Sequence, residues 1–269
     1  IPCAGFGTRF LPVTKVLRKE LLPIVDTPAL SYIVDEAVAS GIEEIVIVIS
    51  PQKEDIRRLF EPNVALNARL EEVDDKESYL LANKPINAKI SFVTQETMNG
   101  NGNAILLCKE FANGEPVAVL FGDDVMYSGS ATPVTKQLID AYEKTGGTIV
   151  GCQQTPEDVA RRCGVMIVDK PVSDKITKIK GIIEKPQGEI LSSDIFDAIE
   201  KTPETKGEVY LTEAINLLAE TKGVYACEFE ARRYDIGNKE GYLEATIEYA
   251  LRDENLKKNF KKYIESIKA

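Results

Sequence analysis

At 269 residues, 43% of them hydrophobic, the chain is long enough for one sizeable α/β domain, or one with a small appendage, and too short for two full ones. Its 43 acidic against 33 basic residues give a formal charge of −10, which disfavours nucleic acid or an anionic membrane as partner and requires any phosphate site to be a local cluster of cations. The absence of histidine removes the commonest general base and metal ligand, and five scattered cysteines without C-x-x-C spacing argue against a disulfide framework or zinc site and for reduced thiols in a cytoplasmic protein.

The chain begins at Ile1 and turns at once into "CAGFGTRFLPVTK" (3–15), two glycines followed by two cations. "TPALSYIVDEAVASG" (27–41) predicts an amphipathic helix, with Thr27 as cap, Pro28 at the first helical position, apolar residues at helical spacing and Gly41 as stop. "IVIVIS" (45–50) reads as a strand buried on both faces. Residues 61–89, rich in Glu, Asp and Asn, form an excursion carrying at most a helix or two. The alternation then resumes: helix over 103–111, strand over 117–121, a Thr-capped helix over 132–147 and strand over 148–152, which favours an open, mostly parallel sheet layered by helices. After residue 160 "GVMIVDK" (164–170) and "ITKIKGIIEKP" (176–186) alternate like antiparallel strands. A helix over 209–220, a strand over 224–230 and one or two helices over 239–268 complete the chain. No apolar run approaches the roughly 20 residues of a membrane span, and no signal-like N-terminus is visible.

The first loop matches neither the P-loop pattern nor G-x-G-x-x-G, since the third residue after Gly7 is Phe10. What it offers is close backbone approach to an anion at Gly5 and Gly7, with Arg9 to pair the charge; alone, such a turn is as often merely a tight turn. "FGDDV" (121–125) sets Asp123 and Asp124 at the carboxyl end of a buried strand, where open α/β sheets place ligands, and a carboxylate there suits a hard cation such as Mg²⁺. The competing reading is a turn that uses aspartate for local hydrogen bonds. "EKP" (184–186) and "RRYDIGNKEGY" (232–242) are weak alone, an ion pair and a turn by default.

Together, "AGFGTRFLPVTK", "KELLPIVDTPALSYIVDEAVASGI", "FGDDV", "GIIEKP", "GEVYLTEAI" and "YDIGNKEGY" resemble, in order and spacing, the bacterial UTP:glucose-1-phosphate uridylyltransferases over nearly the whole chain. The resemblance implies a single domain over 1–269 with a Rossmann-like mixed sheet: a nucleotide-binding part over 1–160, a sugar-phosphate part over 161–238 and C-terminal helices over 239–269. It implies uridylyl transfer from UTP to glucose 1-phosphate with Mg²⁺, giving UDP-glucose and pyrophosphate, in a cytoplasmic homodimer or homotetramer. Arg9 and Lys19 are expected on the leaving phosphates, Asp123 and Asp235 on Mg²⁺, and Lys185 on the sugar phosphate. Glu184 and Gly164 are expected at the sugar, and Ala4, Gly5, Gly7, Thr8, Gln95 and Gly100 around the nucleotide. Asp124 and Lys15 receive no role. The rival readings are a thymidylyl- or other nucleotidylyltransferase, whose loop usually carries an extra glycine, and a catalytically silent sugar-nucleotide binder, which should lack a metal carboxylate or phosphate lysine.

Two departures carry expectations of their own. The family's apolar first strand is represented only by Ile1 and Pro2, which predicts leading residues before Ile1. The family's S-N-x-x-x-x-G-R-Y stretch is absent where "EKPQGEI" meets "LSSDIF", which predicts a chain gap between Ile190 and Leu191.

Overall fold

The computed structural model describes residues 1–129, 131–160, 163–183 and 189–267. After the glycine loop and a short hairpin of β1 (Pro23–Ile24) and β2 (Thr27–Pro28) comes helix α1 (Ala29–Ala39), which buries Leu30, Ile33, Val34 and Ala37 on one face. Strand β3 (Glu44–Ile49) follows, with its last five residues buried, as expected of its β-branched run. Helices α2 (Val64–Glu72) and α3 (Lys76–Ala82) make the polar excursion, and β4 (Lys89–Thr94) returns parallel to β3. Residues 1–3 lie along the other side of β3: Cys3 N donates to Val48 O and Val48 N to Ile1 O, at 2.7 and 2.9 Å.

Helices α4 (Asn101–Leu106) and α5 (Lys109–Ala112) replace the single helix expected over 103–111. Strands β5 (Val117–Val119) and β6 (Asp124–Tyr127), helix α6 (Val134–Thr145) and strand β7 (Thr148–Cys152) continue the alternation. A short helix α7 (Glu157–Ala160) leads to β8 (Val165–Pro171) and β9 (Ile176–Ile183), antiparallel as their patterning predicts. Then come β10 (Glu189–Leu191), α8 (Asp194–Lys201), α9 (Leu211–Thr221), β11 (Val224–Glu228), β12 (Arg232–Asp235), α10 (Lys239–Arg252) and α11 (Lys257–Ser266). Six strands form a mixed sheet in the order β5-β10-β7-β11-β9-β8, with β7 and β11 parallel and the other neighbours antiparallel.

The helix-cap expectation is corrected. Neither Thr27 nor Thr132 caps its helix: Thr27 pairs with Ile24 in the hairpin, and the residues at the two helix starts are Pro28 and Pro133, without side-chain caps. At α6 the capping acceptor comes from another element, as Thr135 N donates to Glu36 Oε1 of α1 at 2.8 Å. Strand β10 pairs Glu189, Ile190 and Leu191 with Val119, Ala118 and Val117 in turn and lies between β5 and β7.

Two large buried clusters flank the strands. One gathers Leu30, Ile33, Ile47 and Ile49 with Val125, Tyr234, Ile236 and Ala245, tying the first βαβ segment to β6, β12 and α10. The other packs Val119, Val150, Leu191, Ile195, Leu211 and Ile215 around the six-stranded sheet. Each fully buried Leu or Ile contributes about 1.5–3 kcal/mol, and the first cluster's Cys3, Val125 and Ile236 anchor the chain beside the glycine loop and Asp123. No helix among the described residues is long and apolar enough to cross a membrane.

Candidate active site

Lys19 stands in the 3-10 turn Lys19–Leu21 that ends the glycine loop, and its Nζ lies 2.6 Å from Asp123 Oδ2. Asp123 falls in the turn between β5 and β6. Strand β12 runs antiparallel to β6 with Asp235 opposite Asp124, and Ile236 N donates to Asp123 O at 2.9 Å, which brings the Asp235 carboxylate alongside. Both carboxylates converge on Gly237. A Cβ there would fall 2.6 Å from Asp123 Oδ2 and 2.9 Å from Asp235 Oδ1, so a side chain at this position would displace the carboxylates. Two hard oxygen donors over an open backbone fit Mg²⁺, which takes one or two carboxylates and completes its shell with water and substrate phosphate. Among the described residues no group of three or more His, Cys, Asp or Glu is placed to hold a metal.

The charges are set by position. Burial pushes the Asp123 carboxyl up, but Lys19, with Arg9 and Arg233 beyond it, reverses this and holds it below the usual carboxylate range. Burial likewise disfavours charge on Lys19, yet Asp123 and Glu20 raise its pKa. Asp124 behaves oppositely. Burial, with Asp123 and Asp235 adding repulsion, pushes its carboxyl up to about 7 against the opposing Arg233 guanidinium. That guanidinium pairs with Asp124 Oδ1 through Nη2, so Asp124 serves as the buried counter-ion of a strut between β6 and β12.

The loop residues spread around this cluster. Ala4 is buried, Gly5, Thr8 and Arg9 are exposed, and Thr14 Oγ1 donates to Gly7 O at 2.9 Å to hold the loop folded. Gln95 and Gly100 are brought together, with Gln95 Nε2 donating to Gly100 O at 3.1 Å and Asn99 Oδ1 at 3.3 Å. Gly164 immediately precedes β8, the outer strand of the sheet. Glu184 and Lys185 lie outside the described residues. Strand β9 leads to them and is pinned by Asn216 of α9, which accepts from Ile182 N at 2.7 Å and donates to Ile182 O at 3.0 Å.

Sequence reasoning missed Arg233, Asn216 and the pair Glu20–Lys53. Glu20 left a signal, an acid inside the apolar run "KELLPIV"; Lys53 left none, because its partners stand 33 and 50 positions away.

Comparison with known proteins identifies the family. The nucleotidyl transferase family profile matches residues 1–251. A UTP--glucose-1-phosphate uridylyltransferase of Staphylococcus saprophyticus is 39% identical over 281 residues, spanning 99% of this chain and 97% of the relative. That alignment exceeds the chain's own 269 residues, so the relative carries residues this chain lacks. A UTP-bound UGPase from Acinetobacter baumannii superposes with a TM-score of 0.92 at 30% identity, covering 99% of this chain and 98% of that one. A UDP-glucose pyrophosphorylase complexed with UDP-glucose gives 0.83 at 32% identity, covering 94% and 97%. The chain therefore belongs to the nucleotidyl transferase family, within its UTP:glucose-1-phosphate uridylyltransferase branch.

Proposed function

We propose that the protein transfers a uridylyl group from UTP to glucose 1-phosphate, giving UDP-glucose and pyrophosphate, with Mg²⁺ held by Asp123 and Asp235. The observation that carries this reading is the convergence of Asp123, Asp235 and Lys19 beside an open glycine loop. The relative bound to UTP and the one complexed with UDP-glucose support the choice of substrate and product. Bound Mg²⁺ would supply positive charge to the phosphate oxygens. Arg9 and Lys19 would hold the leaving β and γ phosphates, Gly5 and Gly7 would let the backbone close on the nucleotide, and Gln95 would fix the Gly100 backbone at the base. The sugar phosphate, delivered by Glu184, Lys185 and Gly164, is mostly ionised near neutral pH, so its oxygen can attack the α-phosphorus in line with no general base. A chain without histidine can therefore carry the reaction.

We place this activity in the cytoplasm, where free cysteines, five of them here, stay reduced. Assembly as a homodimer or homotetramer is supported by Leu243, Ile247, Tyr263 and Ile267, apolar side chains left exposed on and just after α10 and α11. The test is pyrophosphate release from a panel of nucleoside triphosphates with glucose 1-phosphate and Mg²⁺. UTP should lead the panel. Preference for dTTP overturns the uridylyl assignment, and no turnover by folded protein favours a silent binder.

A further inference from the structure

Lys53 is a buried cation that the proposed reaction does not use. It is 5% exposed, and its ammonium donates to Glu20 Oε1 and Oε2, each at 2.8 Å, and to Cys3 O at 2.7 Å. All three N–H groups are thereby spent, and Glu20 is fully buried beneath them. The backbone departs from helical geometry at this residue, at φ −118° and ψ 21°, within the helical segment Pro51–Leu59.

The two acceptors have a particular place in the chain. Cys3 is the last residue zipped to β3 before the glycine loop begins, and Glu20 follows Lys19, which ends it. One ammonium therefore ties both ends of the loop that carries Ala4, Gly5, Gly7, Thr8, Arg9 and Lys19. The tie continues forward, because Lys19 Nζ stands 3.9 Å from Glu20 Oε1 and 2.6 Å from Asp123 Oδ2, so charges alternate from Lys53 through Glu20 and Lys19 to Asp123. An ordinary buried ion pair needs one partner of each sign. This one adds a backbone carbonyl at the opposite end of a loop whose tip is exposed, which is what fixing a loop requires.

We infer that Lys53 is a positioning residue: paired with Glu20, it clasps the two ends of the loop and presents Arg9 and Lys19 to the nucleotide triphosphate. This rests on the uridylyltransferase reading above. Removing one charge would strand the other in the interior, so K53M alone should melt earlier whatever its role. The informative variant is the apolar pair K53M/E20M, with K53Q/E20Q in its place if the former does not fold. In a folded pair variant kcat/KM for UTP should fall at least tenfold, while KM for glucose 1-phosphate stays within twofold. Trypsin cleavage after the exposed Arg9 and Lys15, measured without substrate, should accelerate at least tenfold. Wild-type behaviour in either arm, or an equal rise in both KM values, overturns the clasp and leaves a structural ion pair. The reading beneath it fails differently, by absence of UTP turnover in the wild-type protein.

Discussion

Gly237 shows how much a single side chain decides here. The end of a buried strand marked Asp123 and the family resemblance marked Asp235, but why the two can meet depends on a missing Cβ. In Gly237→Ala the methyl would need to occupy space within 3 Å of an oxygen from each carboxylate. The backbone is held on both sides, with Gly237 N bonded to Asp235 Oδ1 and Ile236 N to Asp123 O, so the carboxylates must give way. We expect Gly237→Ala to bind Mn²⁺ at least tenfold more weakly by calorimetry and to lose turnover in proportion, with an unchanged circular dichroism spectrum. Wild-type Mn²⁺ affinity would remove both carboxylates from the metal site. Lys53 marks the limit of residue-level reading, since a lysine in "SPQKED" looks solvated until the chain returns Cys3 and Glu20 to it.

Elements were legible where periodicity is long and uninterrupted, and misread where the same residues serve two purposes. The strand over 148–152 matches β7 residue for residue, and the "VMIV" and "ITKIKGII" alternations became the β8–β9 pair. "TPAL" and "TPVT" read as cap and first turn, but threonine's backbone can also extend, and in the first case strand pairing took it. Helix α10 was readable as a helix but not in how it docks. Its Glu248 accepts from Tyr234 Oη on β12 and from Arg252, each at 2.6 Å, and lies 3.2 Å from Arg232, while Arg252 stacks over Tyr127 of β6. Burial pushes the Glu248 carboxyl up, but the Tyr234 hydrogen bond with the Arg232 and Arg252 charges more than reverses it, leaving its pKa lowered. A depressed carboxyl stabilises the fold above its unfolded pKa of about 4.3 and ceases to as pH falls through the lower folded value. Glu248→Gln should therefore melt roughly 2–4 °C below wild type at pH 7, and the gap should narrow as thermal melts are run progressively below about pH 4. A gap constant across that range would show that packing, rather than charge, docks the helix.

At the scale of the whole molecule, alternation of helices and buried strands was enough to establish a layered α/β chain, but the way two distant segments join was invisible. They are stitched by main chain at "MNGNGNA" and "GEVYL": Val209 N donates to Asn99 O and Gly102 N to Val209 O, each at 2.9 Å, and Leu211 N donates to Asn101 Oδ1 at 3.1 Å. Gly100 lies inside this seam at φ 102°, where a Cβ would come within 2.4 Å of Val209 O. Leu211 opens α9, whose Asn216 holds Ile182 two residues before Glu184, and Gln95 holds Gly100 on the other side. A change at Gly100 is thus connected by direct contacts to Gln95 and to the strand that leads to Glu184 and Lys185, proposed above for the sugar phosphate. Alanine there would suffer both the glycine-only backbone and the clash, about 3 kcal/mol or more, lowering the melting temperature by roughly 6–12 °C. Gly100→Ala should also raise KM for UTP and for glucose 1-phosphate together. Leu138→Ala, a cavity in α6 away from the seam, should cost comparable stability and leave both KM values near wild type. If the two variants shift KM alike, the loss is general destabilisation; if only Gly100→Ala moves both, the seam sets the relative position of the two substrates.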